Sequence, residues 1–193
     1  MVLEQAKTQE PAITRAVMNA AASSGSECAQ LEQRVKSPAS LVRKVLTANE
    51  LAVENGGRSN PSQIAGEMKD VLRYTVVHPD HSQLAGVTSK TVGSLQAQGW
   101  TILKVKNTYA DGAAYKGIHV SIIGTSPDGI TSEVQIHSAA SLAVKSKIHG
   151  SYEIYRDPSK SKKERRAAMQ ECIRESGTLQ TPEGLNKLTG VDG

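Results

Sequence analysis

The sequence predicts an α+β fold, a mixed β-sheet flanked by helices. Three observations predict it. The elements run helices, strand, helix, three strands, helices, and two of those strands are close enough to form a hairpin. The strand-like segments are rich in β-branched residues, while the helix-like ones space their apolar residues by helical turns. The chain has 193 residues, enough for one core without staples, and with no Phe and one Trp that core must be built from Ala, Val, Ile and Leu.

Taken in order, residues 8–33 carry apolar residues at helical spacing, broken near SSGSE (23–27). One or two helices are expected there, with Thr8 as N-cap and Pro11 in the first turn. In the next stretch Ser37 can cap, Pro38 suits the first helical position, and Leu41, Val45, Leu46 and Leu51 form one stripe. Gly56 and Gly57 end that helix. A short helix around PSQIAGEM leads to VLRYTVV, a strand. HPDHS is a turn, 83–97 a helix closed by Gly99, and WTILKVKN a second strand. KGIHVSIIG and TSEVQIHS are two further strands, joined through TSPDG as a hairpin. A helix follows from Ala139 to Tyr155, then a basic helix from about Ser159 to Ser176. The segment after Gly177 is expected to be loosely ordered.

The net charge of +4 suits an anionic ligand but does not specify one. The two cysteines, Cys28 and Cys172, lie far apart, so they imply no disulfide framework and no metal-binding pair. The start, MVLEQAKTQEP, lacks the basic and apolar regions of a secretory signal. No apolar run approaches the ~20 residues of a membrane span.

Strand alternation places the candidate chemistry. In GIHVSII, Ile118, Val120 and Ile122 point one way and Gly117, His119 and Ser121 the other. In SEVQIHS, Val134 and Ile136 oppose Glu133, Gln135 and His137. One face is apolar, and the other carries two His, a Glu and a Gln. A half-solvated hairpin face gives the same pattern, but such faces usually carry Lys and this one has none. Asp70 precedes the VLRYTVV strand. If it meets Glu133 in space, the two carboxylates can hold Mg2+, which takes one or two carboxylates plus substrate phosphates. Asp70 read alone is a strand-entry acid. In RVKSPASLVRK (34–44), Ser40 and Lys44 share a helix face, while Arg34 and Lys36 precede the helix. Cations at a helix N-terminus make an anion site; a basic surface helix is the other reading, and Arg43 fits solvent.

These segments resemble one family. RVKSPASLVRK is similar to the RxKxxxSxxxK stretch lining the ATP site of RelA/SpoT-type alarmone synthetases. KDVLRYTVV resembles their metal-binding Asp followed by an Arg-bearing strand. AYKGIHVSI resembles their GYxSIH acceptor loop, SEVQIHS their EVQIRT strand, and HGSYEIYR (149–156) the helix that follows. The matches keep the family's order and span residues 34–156.

The resemblance implies a nucleotidyltransferase-like fold and an ATP-dependent pyrophosphokinase. It would move the β,γ-diphosphate of ATP to the 3′-hydroxyl of a purine nucleotide, giving (p)ppGpp- or (p)ppApp-like products. Carried over by position, Arg34, Lys36, Ser40, Lys44 and Arg73 would bind ATP. Asp70 and Glu133 would bind Mg2+, with Glu133 also deprotonating the acceptor. Tyr115 would stack on the acceptor base, and His119, Gln135 and Lys106 would contact the acceptor. The departures fall mainly on the acceptor side. Ala114 replaces a Gly, Asp111 a Lys (leaving Lys104 or Lys106 to substitute) and His137 an Arg, while VLRYT lacks a Gly.

The resemblance further implies one synthetase-like domain over 1–193, with a helical extension (1–33), a catalytic core (34–157) and a basic helix and tail (158–193). The details LRYTVV, KNTY and YKGIH resemble a divergent branch of small toxins and effectors. That branch implies action in a bacterial cytoplasm, delivery into a target cell without an N-terminal signal, and a cognate immunity or antitoxin protein. It also leaves a tRNA 3′ end open as acceptor, and a catalytically inactive nucleotide-binding module stands as the alternative from another class. HPDH (78–81) reads as a loop rather than a hydrolase metal site. KSKKERR reads as a solvated helix face or as an RNA-backbone contact.

Overall fold

The computed structural model describes residues 2–66, 68, 71–125 and 129–188. A five-stranded sheet in the order β1-β2-β5-β4-β3 forms its centre. The strands are β1 (Glu27–Ala29), β2 (Leu72–His78), β3 (Thr101–Asn107), β4 (Ile118–Ile123) and β5 (Ser132–Ser138). β2 and β5 are parallel, and the other three pairings are antiparallel. The α+β class with a mixed sheet is thus the observed one. The helices are α1 (Val2–Ser23), α2 (Pro38–Glu54), α3 (Pro61–Gly66), α4 (Leu84–Ala97), α5 (Ala139–Arg156) and α6 (Lys162–Gly177).

The apolar sheet face forms the core. Leu72, Tyr74 and Val76 of β2 join Ile118, Val120 and Ile122 of β4 and Val134 and Ile136 of β5, all buried. Ile13, Val17 and Ala20 of α1 and Leu84, Val87 and Leu95 of α4 belong to the same cluster. α5 lies over part of the opposite, polar face. Its start is fixed by Ser138, which caps the helix in a reciprocal box with Ser141.

Three expectations need correction. The first helix does not start at Thr8; it starts at Val2, with Pro11 inside it. The buried stripe of Ala6, Ile13, Ala16, Val17 and Ala20 outweighs the one hydrogen bond the proline forfeits. The tail of the same sequence window is not helical. Gly25, at φ 71°, turns the chain, and β1 pairs with Val77, Val76 and Thr75. The segment after Gly177 is packed: Leu179 and Leu185 are buried, and Leu185–Lys187 forms a 3-10 turn. The TSPDG loop includes 126–128, which lie outside the described residues, but the β4–β5 pair it joins is antiparallel as expected.

Candidate active site

Register brings the polar residues of four strands onto one face. Arg73 stands beside Glu133 in the parallel β2–β5 ladder. Ser121 faces Glu133, and His119 faces Gln135, across β4–β5. Lys106 faces His119 and Lys104 faces Ser121 across β3–β4. A break in register between Ile102 and Lys104 puts both lysines on this face.

Glu133 is gripped from both sides. His119 Nδ1 lies 2.9 Å from Oε1, and Gln135 Nε2 donates to Oε2 at 2.8 Å. Lys145 Nζ of α5 donates to Gln135 Oε1 at 2.7 Å. Burial, then the charge of Arg73, lowers the Lys145 pKa to about 8. The sequence reading gave Lys145 no role. Its only signal was position: two turns into the helix that Ser138 caps, with side chains tilting back toward the helix start and so over β5.

Tyr115 packs under the same face. Its hydroxyl is 2.9 Å from His137 Nε2, and its ring meets His119 edge-on with centroids 5.5 Å apart. Burial raises the Tyr115 pKa, and the Glu133 charge adds to that. His137 is fully buried, its Nδ1 is 3.0 Å from Ser141 Oγ, and burial holds its pKa down near about 3. The imidazole is therefore neutral. The ring of Tyr115 fits because residue 117 is Gly: a Cβ there would stand 2.5 Å from the hydroxyl oxygen.

The basic segment is stitched to the start of β2. Val35 bridges Leu72, Lys36 N–H donates to the Val71 carbonyl at 2.9 Å, and Arg73 N–H donates to the Arg34 carbonyl at 2.8 Å. Lys36 and the helix bearing Ser40 and Lys44 thus begin at the end of the sheet where Arg73 and Glu133 sit. The Arg34 side chain turns toward α1 instead. It pairs with Glu10, which also accepts from Thr14, and donates to the Leu31 carbonyl at 2.6 Å. Asp70 lies outside the described residues. Of the HPDH run, His81 is a tie, with Nδ1 2.7 Å from Ser138 Oγ and Nε2 2.8 Å from the Gln180 carbonyl.

The loop between β3 and β4 is braced by the C-terminal segment. Lys116 is buried and donates to the Leu179 carbonyl at 2.7 Å, while Ser176 Oγ donates to the Ala114 carbonyl at 3.1 Å.

A scan against protein-family models finds no match, and a search of curated proteins finds none. Solved structures do match. The type VI effector Tas1, crystallised with its immunity protein, superposes with TM-score 0.59 at 19% identity, over 91% of this chain and 93% of that one. Small alarmone synthetase 1 of Bacillus subtilis matches with TM-score 0.52 at 16% identity, over 75% and 69% of the two chains. The same enzyme bound to its product pppGpp gives TM-score 0.50 at 15% identity, over 75% and 68%. These superpositions establish that the chain shares the fold of the small alarmone synthetases and the effector Tas1.

Proposed function

We propose that the chain is a pyrophosphokinase, transferring the β,γ-diphosphate of ATP to the 3′-hydroxyl of a purine nucleotide. The observation that carries this is Glu133, held between His119 and Gln135 beside Arg73, at the sheet end where the Lys36 segment joins β2. Glu133 takes the proton of the acceptor hydroxyl. The freed oxygen attacks the β-phosphorus of ATP, the bond from that phosphorus to the α,β-bridging oxygen breaks, and AMP leaves with that oxygen. Arg73, Lys36, Ser40 and Lys44 hold the polyphosphate and its charge, with Arg34 at the edge of the ATP side. Transfer of this kind is mostly positioning and charge stabilisation. Tyr115, His119, Gln135 and Lys106 border the acceptor.

Among the described residues no three His, Cys, Asp or Glu side chains form a metal cluster. A hard carboxylate among cations still fits Mg2+, which draws most of its other ligands from phosphate and water. Glu133 and Asp70 would hold it, and it would neutralise charge on the β- and γ-phosphate oxygens. The likeness to Tas1 supports the effector reading: a single domain over 1–193, acting in a bacterial cytoplasm and neutralised by a cognate immunity protein.

The test supplies labelled ATP and Mg2+ with GDP, GTP, AMP, ADP, ATP or tRNA as separate acceptors. Label moving to a purine nucleotide supports the proposal. Label moving to tRNA alone favours the RNA-modifying reading, which has its own observation: Lys160, Lys162, Lys163 and Arg166 are exposed around the start of α6. Arg165 of that run is occupied, donating to the Tyr155 carbonyl at 3.0 Å. No transfer to any acceptor would leave a nucleotide-binding module.

A further inference from the structure

We propose that Lys145 is a positioning residue that sets the polarity of the Gln135 amide and thereby the hydrogen bonding of Glu133. This rests on the pyrophosphokinase reading for its kinetic consequence, though not for its geometry. The chain of contacts is Lys145 Nζ to Gln135 Oε1 at 2.7 Å, then Gln135 Nε2 to Glu133 Oε2 at 2.8 Å. An ammonium only donates and a carboxylate only accepts, so an amide between them has one permitted sense. Without Lys145 the Gln135 carbonyl has lost its donor and the amide is held at one end only, by its bond to Glu133, so its orientation loosens. Gln135 is 5% exposed, so water has little room to substitute for the ammonium.

The neighbouring side chains explain why the cation comes from α5. β5 carries His137 where the resembled strand pattern has Arg. Its two nitrogens face Tyr115 and Ser141, so it gives Gln135 no donor. Lys145, reaching back from the helix, fills that need. A half-buried ammonium costs desolvation, but an apolar side chain in its place would leave the buried Gln135 Oε1 without a donor, at a cost of its own.

The test compares Lys145→Met and Lys145→Arg with the parent chain. In the metal-free and nucleotide-free protein, NMR should show one slowly exchanging Gln135 Nε–H proton, lost in Lys145→Met and kept in Lys145→Arg. In turnover at a temperature where both proteins are fully folded, Lys145→Met should lower kcat by about tenfold or more with KM for ATP within about twofold. Lys145→Arg should recover most of kcat. A Lys145→Met protein with parental kcat, or with an unchanged Gln135 amide signal, overturns the proposal. If the parent chain transfers nothing, the pyrophosphokinase reading fails, and the amide signal still decides the polarity claim.

Discussion

The Tyr115 hydroxyl and His137 Nε2 lie 2.9 Å apart, joining the loop before β4 to the central strand β5. The ring that makes this bond lies over Gly117, and a methyl there would meet both partners, at 2.5 Å from the Tyr115 oxygen and 2.9 Å from His137 Cε1. Gly117→Ala should therefore displace Tyr115. The expected result is an acceptor KM raised about tenfold with ATP binding little changed, as suits loss of binding to one substrate only. Steady-state kinetics paired with calorimetry of ATP binding checks it, and an unchanged acceptor KM would remove Tyr115 from the acceptor site.

His137 gives stability an acid limit. Burial chiefly, with Lys145 and His119 adding, holds its pKa near about 3 in the native chain, whereas an unfolded imidazole titrates near ~6.5. Between those values the unfolded chain binds a proton that the native chain refuses. Stability from this residue is therefore present above ~6.5 and falls by about 1.4 kcal/mol per pH unit below it. His137→Gln should flatten that slope in urea midpoints measured between pH 4 and 7, on the order of the range given. A parental slope in the variant would show that other groups carry it.

Glu133→Gln keeps shape but exchanges one acceptor oxygen for a donor and removes the proton acceptor. Transfer should fall by about 10²–10⁴-fold, the usual worth of a positioned base. Tm should move by only a few degrees, since the side chain is part-exposed at the sheet end. Turnover at the parental rate would contradict the assignment of Glu133.

Leu185 anchors the C-terminal segment, with no exposed surface. Leu185→Ala should cost about 2–5 kcal/mol, the range for a buried leucine truncation. Hydrogen exchange should quicken around Leu179 and in the 108–117 loop before the strands respond, because Lys116 and Thr108 hold that loop through the Leu179 and Gly117 carbonyls. Uniform protection in the variant would mean that the segment does not brace the loop.

Much of this was legible in the sequence because alternation along a strand is a local property. Glu133, Gln135 and His119 share a face for the same reason that Val134, Ile136 and Val120 share the other. The α2 boundaries, Pro38 at the start and Gly56 just past the end, followed from backbone chemistry alone. What escaped was set by distant partners. β1 is three residues long and exists through its pairing with β2. Pro11 sits inside α1 because apolar burial along that helix decides the matter. Arg34 was read with its neighbouring cations, yet its side chain answers to Glu10, 24 residues earlier in the chain. Lys145 meets Gln135 only once β5 and α5 are docked.

Ser176 at the end of α6 donates to the Ala114 carbonyl, and Lys116 to the Leu179 carbonyl, so the loop bearing Tyr115 is seamed to the end of α6 and the segment after it. Residues 176–185 are translated after all five strands. A ribosome-bound chain can therefore have its sheet complete while that loop is still unsupported.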